Sequence, residues 1–411
     1  MKKKNVRILL IAALLITVMA VSLGIIKTRG AGNGGNADPS TDTVSGQTDT
    51  EKEDVTDANG EEGDSGPLAT VFFASDYQAE PDFDAPADTM RSLLETAKAD
   101  GKNIDRIVIC GDYTNDAVLH DYQLSPDESI GEIRATAKEE IPGLSDDDMT
   151  FVQGNHDRLT DQITESGLHD EGDYLIYVLN TEEDFPWKQG KKSGCLAKVS
   201  RSSEAVKECF DKLIESGETR PVFIAGHVPL HFTARTSSRH STGDNLYSSL
   251  IFDVVNDAAE SLDIIYLFGH NHSKGWDCYM GGSSVYKAEG DTILIPFFTK
   301  YMVDTDEFTE ETLRFTYLNA GYTGYYMNCA PAEYTNGGEG FHAADETLTG
   351  TVFEIYPDRI VATRYDSEGV HVLGHEGEGD PYKGGIDSGL IPEREYSSET
   401  DSPQTISLKN H

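Results

Sequence analysis

Positive charge is scarce in this chain of 411 residues: 33 Lys and Arg stand against 72 Asp and Glu, a formal charge of −39. Such a balance repels polyanions and argues against a general DNA or RNA binder, while a small anionic substrate held by metal stays compatible with it. Cysteine is sparse as well. The five (Cys110, Cys195, Cys209, Cys278 and Cys329) show no CxxC spacing, so no zinc knuckle is indicated. Their odd number leaves at least one thiol outside any disulfide, and Cys110, at a strand end, reads as a small buried apolar residue. No Ser or Cys nucleophile motif is evident, and no internal repeat. Apolar residues are nearly missing from residues 31–67, where ten acids face the single Lys52. That segment is expected to be a disordered acidic linker.

What is present begins at the N-terminus. Four positive charges in MKKKNVR precede residues 8–26, which run 19 residues without a charge. That length just spans a bilayer, with the basic side cytoplasmic. A cleaved signal peptide usually has a shorter apolar run closed by a small-x-small site, of which VMAVSLG is a weak version. An uncleaved single-pass anchor over residues 1–30 is therefore favoured. In either case the remainder is expected outside the cytoplasm.

Hydrophobic content of 37% suffices for a real core. From residue 68 to 366 short apolar runs alternate with helical patterns. Strands are expected at TVFFAS, RIVIC, MTFVQ, YLIYVLN, PVFIAG, DIIYLFG and TILIPFF, and as a hairpin in TVFEIYPDRIVATRYD that turns at Pro357 and Asp358. Helices are expected over 89–99, 204–216 and 245–259. The pattern argues an α/β layered fold with helices outside the sheet. Residues 367–411 are expected to form a poorly ordered C-terminal tail.

Several of those strands close on polar residues of one kind. FFAS ends at Asp76 with Gln78 beyond; RIVIC ends in Gly111 and Asp112. TFVQ is followed by Gly154, Asn155, His156 and Asp157, VFIA by Gly226 and His227, and IIYLF by Gly269, His270, Asn271 and His272. Ligands of α/β sheets bind beyond the carboxyl ends of strands. A lone strand-end Asp is commonly a helix cap, and a lone Gly-His is commonly a packed histidine. GD, GNHD, GH and GHxH in order, each closing an apolar run, form a far rarer combination. His, Asp and amide oxygens suit borderline divalent ions. Seven candidates (Asp76, Gln78, Asp112, Asn155, His227, His270 and His272) match the count for two ions sharing a bridging carboxylate.

These ordered motifs resemble the calcineurin-like metallophosphoesterase family, over roughly residues 68–366. The resemblance implies a four-layer α/β/β/α sandwich and hydrolysis of a phosphate mono- or diester by metal-activated water. It implies that Asp112 bridges two ions, that Asp76 and His272 hold the first, and that Asn155, His227 and His270 hold the second. His156 resembles the histidine that stabilises or protonates the leaving oxygen, and Asp157 is placed to orient it. The family usually has Asp-x-His in its first motif, where this chain has Asp76-Tyr77-Gln78. Gln78 is read either as a weaker, harder ligand or as a cap on the following loop. Two divalent ions are expected, Mn²⁺ first, with Fe, Zn²⁺ and Mg²⁺ as the other candidates. The alternative is a non-catalytic phosphate-ligand-binding module with a degraded first metal site.

After His227, His231, Arg235 and Arg239 are candidate contacts to substrate phosphate, against the plainer reading of a solvated loop. The tyrosine-rich stretch 318–334 reads either as core or as a stacking wall. The expected partners are a small phosphorylated substrate and a membrane, with no nucleic acid polymer.

Overall fold

The computed structural model describes residues 66–78, 85–114, 125–181, 192–230, 249–270, 286–296, 308–323, 349–366, 369–370 and 403–409. The N-terminal apolar run lies outside them. Among the described residues no helix is long and apolar enough to cross a membrane.

Strand β1 (Ala69–Ala74) leads to helix α1 (Ala85–Ala99), β2 (Arg106–Ile109), α2 (Pro126–Glu140) and β3 (Met149–Phe151). Then come β4 (Gly167–Asp170), β5 (Leu175–Leu179), α3 (Lys192–Ser216), β6 (Val222–Gly226), α4 (Ser249–Ala258) and β7 (Ile264–Phe268). Short strands follow: β8 (Tyr286–Lys287), β9 (Thr292–Pro296), β10 (Phe308–Thr312), β11 (Thr316–Asn319) and β12 (Gly321–Tyr322). The chain closes with β13 (Thr349–Ile355), β14 (Arg359–Asp366), β15 (Gly369–Val370) and β16 (Gln404–Ser407).

Two mixed sheets result. One runs β15-β14-β13-β1-β2-β3, with β12 on β13 and β16 on β14; the other runs β4-β5-β6-β7-β11-β8. Within the first, β1, β2 and β3 are parallel. Within the second, β5, β6, β7 and β11 are parallel. Parallel neighbours bring their carboxyl ends to one side.

Side-chain alternation in β1 shows how the layers form. Val71 and Phe73 join an apolar cluster that also holds Ile176, Val178, Phe223 and Ile265 from the other sheet. Phe72 and Ala74 face the opposite way, onto Met90, Leu93, Ile130 and Ile133 of α1 and α2. The second sheet turns Tyr177, Ile224 and Tyr266 onto Val206, Phe210 and Phe252 of α3 and α4. Between the sheets Phe73 stacks on Phe223 at 5.4 Å and meets Phe353 edge-on at 5.2 Å. Each such aromatic pair adds about 0.5–1.5 kcal/mol beyond buried area.

The structure differs from the sequence reading in several places. Helix α2 was not expected, although Ser125 begins it with a complete capping box: its Oγ accepts from the Asp127 N–H and the Glu128 Oε2 accepts from the Ser125 N–H. Its inward face carries few large apolar residues, chiefly Ile130 and Ile133, so its periodicity is faint. The run TILIPFF supplies β9, which pairs with β10 in a separate two-stranded sheet. The expected tail holds β16, antiparallel to β14 across residues 359–362. Its average polarity hid an alternation in which Ile406 and Leu408 turn inward against the inter-sheet core. Beyond it the Lys409 N–H reaches the Asp263 carboxylate at 2.9 and 3.0 Å.

A chain ending at residue 402 should therefore lose the Leu408 burial and the β14 edge pairing. The expected destabilisation is about 2 kcal/mol or more, read as a lower midpoint in a urea melt. An unchanged midpoint would mean that β16 contributes nothing to the fold.

Candidate metal centre

Asp76 and Gln78 follow β1, Asp112 follows β2, Asn155 follows β3, His227 follows β6 and His270 follows β7. The six stand beyond the carboxyl ends of parallel strands drawn from both sheets, and all six are buried. His272, His231, Arg235 and Arg239 lie outside the described residues.

The backbone is unusual at this rim. Asp76, Gln78, Asp112 and His270 have φ of 55°, 45°, 57° and 69°, and they are all the non-glycine residues with positive φ among those described. Each left-handed non-glycine residue costs about 1–3 kcal/mol, a strain that persists only where the surroundings over-determine it. Here hydrogen bonds do so. The Asp76 N–H donates to the Gly111 carbonyl and the Gln78 N–H to the Asp112 carbonyl, both at 2.9 Å. The His270 N–H donates to Asp76 Oδ2 at 2.9 Å, which ties the end of β7 to the end of β1.

Close approach explains two of the glycines. A Cβ on Gly154 would fall on the Asp112 N and Oδ1 atoms, and one on Gly269 would fall on Ser75 Oγ. Gly226 differs, since its Cβ would meet nothing nearer than 3.6 Å. The glycine before His227 is thus not demanded by space.

Asp157, expected to orient His156, accepts three backbone N–H groups. Its Oδ2 accepts from the Asp112 and Gly154 N–H groups, and its Oδ1 accepts from the Tyr113 N–H, each at 2.8 Å. The carboxylate therefore staples the loop after β2 to the loop after β3. Burial and the nearby Asp112 charge raise its pKa, against the opposing pull of those N–H groups.

Asp112 sits in the middle of the donors. Its Oδ1 accepts from the His156 N–H at 2.9 Å, and its Oδ2 lies 3.1 Å from His227 Nε2 and 3.9 Å from His156 Nε2. Burial alone would raise its pKa, but His227 and His156 hold it below the ordinary carboxylate range. His227 Nδ1 meets the Cys110 carbonyl at 2.6 Å, so that nitrogen must carry a proton. Its Nε2 then faces Asn155 Oδ1 at 3.1 Å together with the Asp112 oxygen. A neutral ring would set three lone pairs against one another. Burial pulls the imidazole down, yet the Asp112 and Asp76 charges prevail and hold it up at about 9. The pocket calls for a cation, either a proton or a metal.

Donor chemistry fits a metal. Asp112, His227 and His270 each offer a ligand atom within 4.8 Å of the others. The side-chain oxygen and nitrogen of Gln78 are both buried without a hydrogen-bond partner, as is Asn155 Nδ2. An orphaned buried polar group costs about 1–3 kcal/mol, which a coordinated ion would relieve at the amide oxygen. Among the described residues no hydrogen bond supports Gln78 as a cap on the following loop.

Sequence reading passed over two supporting residues. Ser75 Oγ donates to the Cys110 carbonyl at 2.8 Å, beneath His227. Tyr77, between two ligand candidates, donates its hydroxyl to Glu132 Oε2 on α2 at 2.6 Å. No signal for the second existed while α2 was unrecognised.

Three substitutions test this account of the loops. Gly154→Ala should cost about 3 kcal/mol, because only backbone and the Asp112 carboxylate could yield, while Gly226→Ala should stay within about 1 kcal/mol. Asp157→Asn keeps the shape but turns an amide donor toward backbone donors, and should cost about 2–3 kcal/mol. Urea melts measure all three, and equal effects of the two glycine changes would refute the close-approach argument.

No curated protein matches the chain by sequence. Solved structures similar to it include GAP50, the anchor in the inner membrane complex of Plasmodium, at 12% identity, with 74% of this chain and 86% of that one covered and a TM-score of 0.37. A conserved, predicted phosphoesterase from Streptococcus pneumoniae TIGR4 is similar at 11% identity, with 74% and 92% covered and a TM-score of 0.28. A single mutant of Vps29 from Entamoeba histolytica is similar at 12% identity, with 72% and 92% covered and a TM-score of 0.27. The model of the calcineurin-like phosphoesterase family matches residues 69–274, half of the chain and the whole run of motifs from Asp76 to His272. This chain belongs to the calcineurin-like phosphoesterase family.

Proposed function

We propose that the chain is an exported, membrane-anchored phosphoesterase that hydrolyses a small phosphate mono- or diester at a two-ion centre on a four-layer α/β/β/α sandwich. The observation that carries this reading is the convergence of Asp112, His227 and His270 within 4.8 Å, beside a buried and unpartnered Gln78 amide. Asp76, Gln78, Asp112 and His272 would hold one ion; Asp112, Asn155, His227 and His270 would hold the other. Divalent ions bound there would neutralise charge on phosphoryl oxygens and bring the pKa of water toward neutrality.

The chain supplies the rest. The His227 imidazole is oriented by its Nδ1 contact to the Cys110 carbonyl, and the His270 backbone is held by its N–H bond to Asp76 Oδ2. His156 is the histidine of this group with partial exposure, 20% of its side chain, and its N–H is pinned to Asp112 Oδ1. That places an imidazole at the edge of the site, where it can give a proton to a departing oxygen. His231, Arg235 and Arg239 are proposed to contact substrate phosphate. The charge of −39 favours a small substrate over a polymer, and the basic start before residues 8–26 supports the anchor and the outward domain.

The test uses the full chain in mild detergent, purified without chelator and equilibrated with Mn²⁺. Elemental mass spectrometry should count two ions per chain, and about one in Gln78→Ala. With p-nitrophenyl phosphate and bis(p-nitrophenyl) phosphate as probes, His156→Ala should lower kcat by about 10²–10⁴ at unchanged metal content. One ion or none in the wild type, with no turnover of either probe, would replace the enzyme by a binding module.

A further inference from the structure

The family match ends at residue 274, yet polar groups that hold the His270 loop come from beyond it. Arg364, on β14, has no exposed surface and heads the fully buried side chains in size. Its Nη1 donates to the Asn319 carbonyl at 2.7 Å and to Thr351 Oγ1 at 2.8 Å, and its Nη2 donates to Asn319 Oδ1 at 3.2 Å. Thr351 Oγ1 in turn donates to the Ala320 carbonyl at 3.0 Å.

Asn319, at the end of β11, is equally buried. Its Oδ1 also accepts from the Gly321 N–H at 3.0 Å, so two donors fix which way the amide points. Nδ2 is thereby turned to the Gly269 carbonyl at 3.4 Å. Gly269 is clamped on its other side too, its N–H donating to the His227 carbonyl at 2.7 Å. The next residue is His270, with φ of 69°.

A guanidinium in the interior carries a large desolvation penalty. Burial drags the Arg364 pKa down to about 9. An apolar side chain of like volume would avoid that penalty but would take this donor from the buried Asn319 carbonyl and Oδ1, so the fork is retained where it sets the orientation of Asn319. A strained peptide beside a metal ligand, by contrast, needs rigid support on all sides.

We propose that Arg364, acting through Asn319, is a positioning residue for His270: it fixes the peptide between Gly269 and His270 so that the imidazole meets the metal centre in one orientation. The proposal rests on the metal-centre reading above.

Asn319→Asp separates positioning from stability. It keeps the oxygen that serves Arg364 and Gly321 and puts a charge beside the buried guanidinium, so the thermal midpoint should hold or rise. It also replaces the Nδ2 donor with an oxygen facing the Gly269 carbonyl. Calorimetric titration of the full, chelator-treated chain with Mn²⁺ should show affinity falling on the order of tenfold or more, with kcat falling in step. Arg364→Met should lose affinity likewise, and Arg364→Lys, with charge but no fork, should recover part of it.

Unchanged Mn²⁺ affinity in Asn319→Asp would overturn the proposal, as would a loss of affinity that merely tracks a lower midpoint. If Arg364→Met fails to fold, Asn319→Asp decides alone. A wild type that binds no Mn²⁺ would sink the metal-centre reading and this proposal with it. A wild type that binds normally beside an unaffected Asn319→Asp would sink the positioning role only.

Discussion

The carbonyl oxygen of Cys110 accepts from His227 Nδ1 at 2.6 Å and from Ser75 Oγ at 2.8 Å, and the arrangement of the centre follows from that junction. Cys110 and Ser75 belong to the ends of β2 and β1 in one sheet, while His227 follows β6 in the other. The bond sets the tautomer of His227, turns Nε2 toward Asp112 and Asn155, and holds the two sheets' strand ends within ligand distance. A second bridge, from the His270 N–H to Asp76 Oδ2, does the same for β7 and β1. The sheets pack through apolar faces that bring no directional preference of their own. Polar contacts at the rim supply the direction.

Strain is the counterpart of that order. Four left-handed non-glycine residues together cost about 4–12 kcal/mol at 1–3 kcal/mol each, comparable with the whole stability of an ordinary domain. The apolar clusters on both faces of both sheets must offset it, which is why β1, β5, β6 and β7 are buried along their whole length. Asp157 contributes in a different way. By accepting three N–H groups at the loops after β2 and β3, it removes backbone donors that would otherwise be orphaned in the interior.

The strand ends were legible because glycine, an apolar run and a polar residue coincide there, and each signal is local. Helix α2 carries a local signal in its cap but too little apolar periodicity to stand out. Strands β11 and β16 are short and take their place from neighbours distant in sequence, so nothing local announces them. Arg364 was readable in part. In β14 it falls in phase with Ile360 and Ala362, both in the inter-sheet core, so period-two alternation already turned a guanidinium inward. What could not be read was its partner, since Asn319 sits on another strand and is brought near only by the packing. Asp157 was legible as a residue of the site, but its three bonds to backbone N–H groups were not, since Asp112 and Tyr113 lie more than forty residues away in sequence.

Charge ties the centre to the composition. A chain at −39 repels anions at long range, yet its proposed substrate is an anion. The donors at the centre are mostly neutral: Gln78, Asn155 and the histidines carry no charge as ligands, which leaves Asp76 and Asp112 as the carboxylates among the described ligand candidates. Two divalent ions, as proposed, set against two carboxylates would make the loaded centre net positive, and Gln78, neutral like the histidine usual in that motif, would leave the sign unchanged. Surface acids farther off than about 8 Å are largely screened at physiological salt, whereas the buried centre is not. On the proposed function, the sign a phosphate would meet on arrival is that of the loaded site, while the acidic exterior would act on polymeric anions.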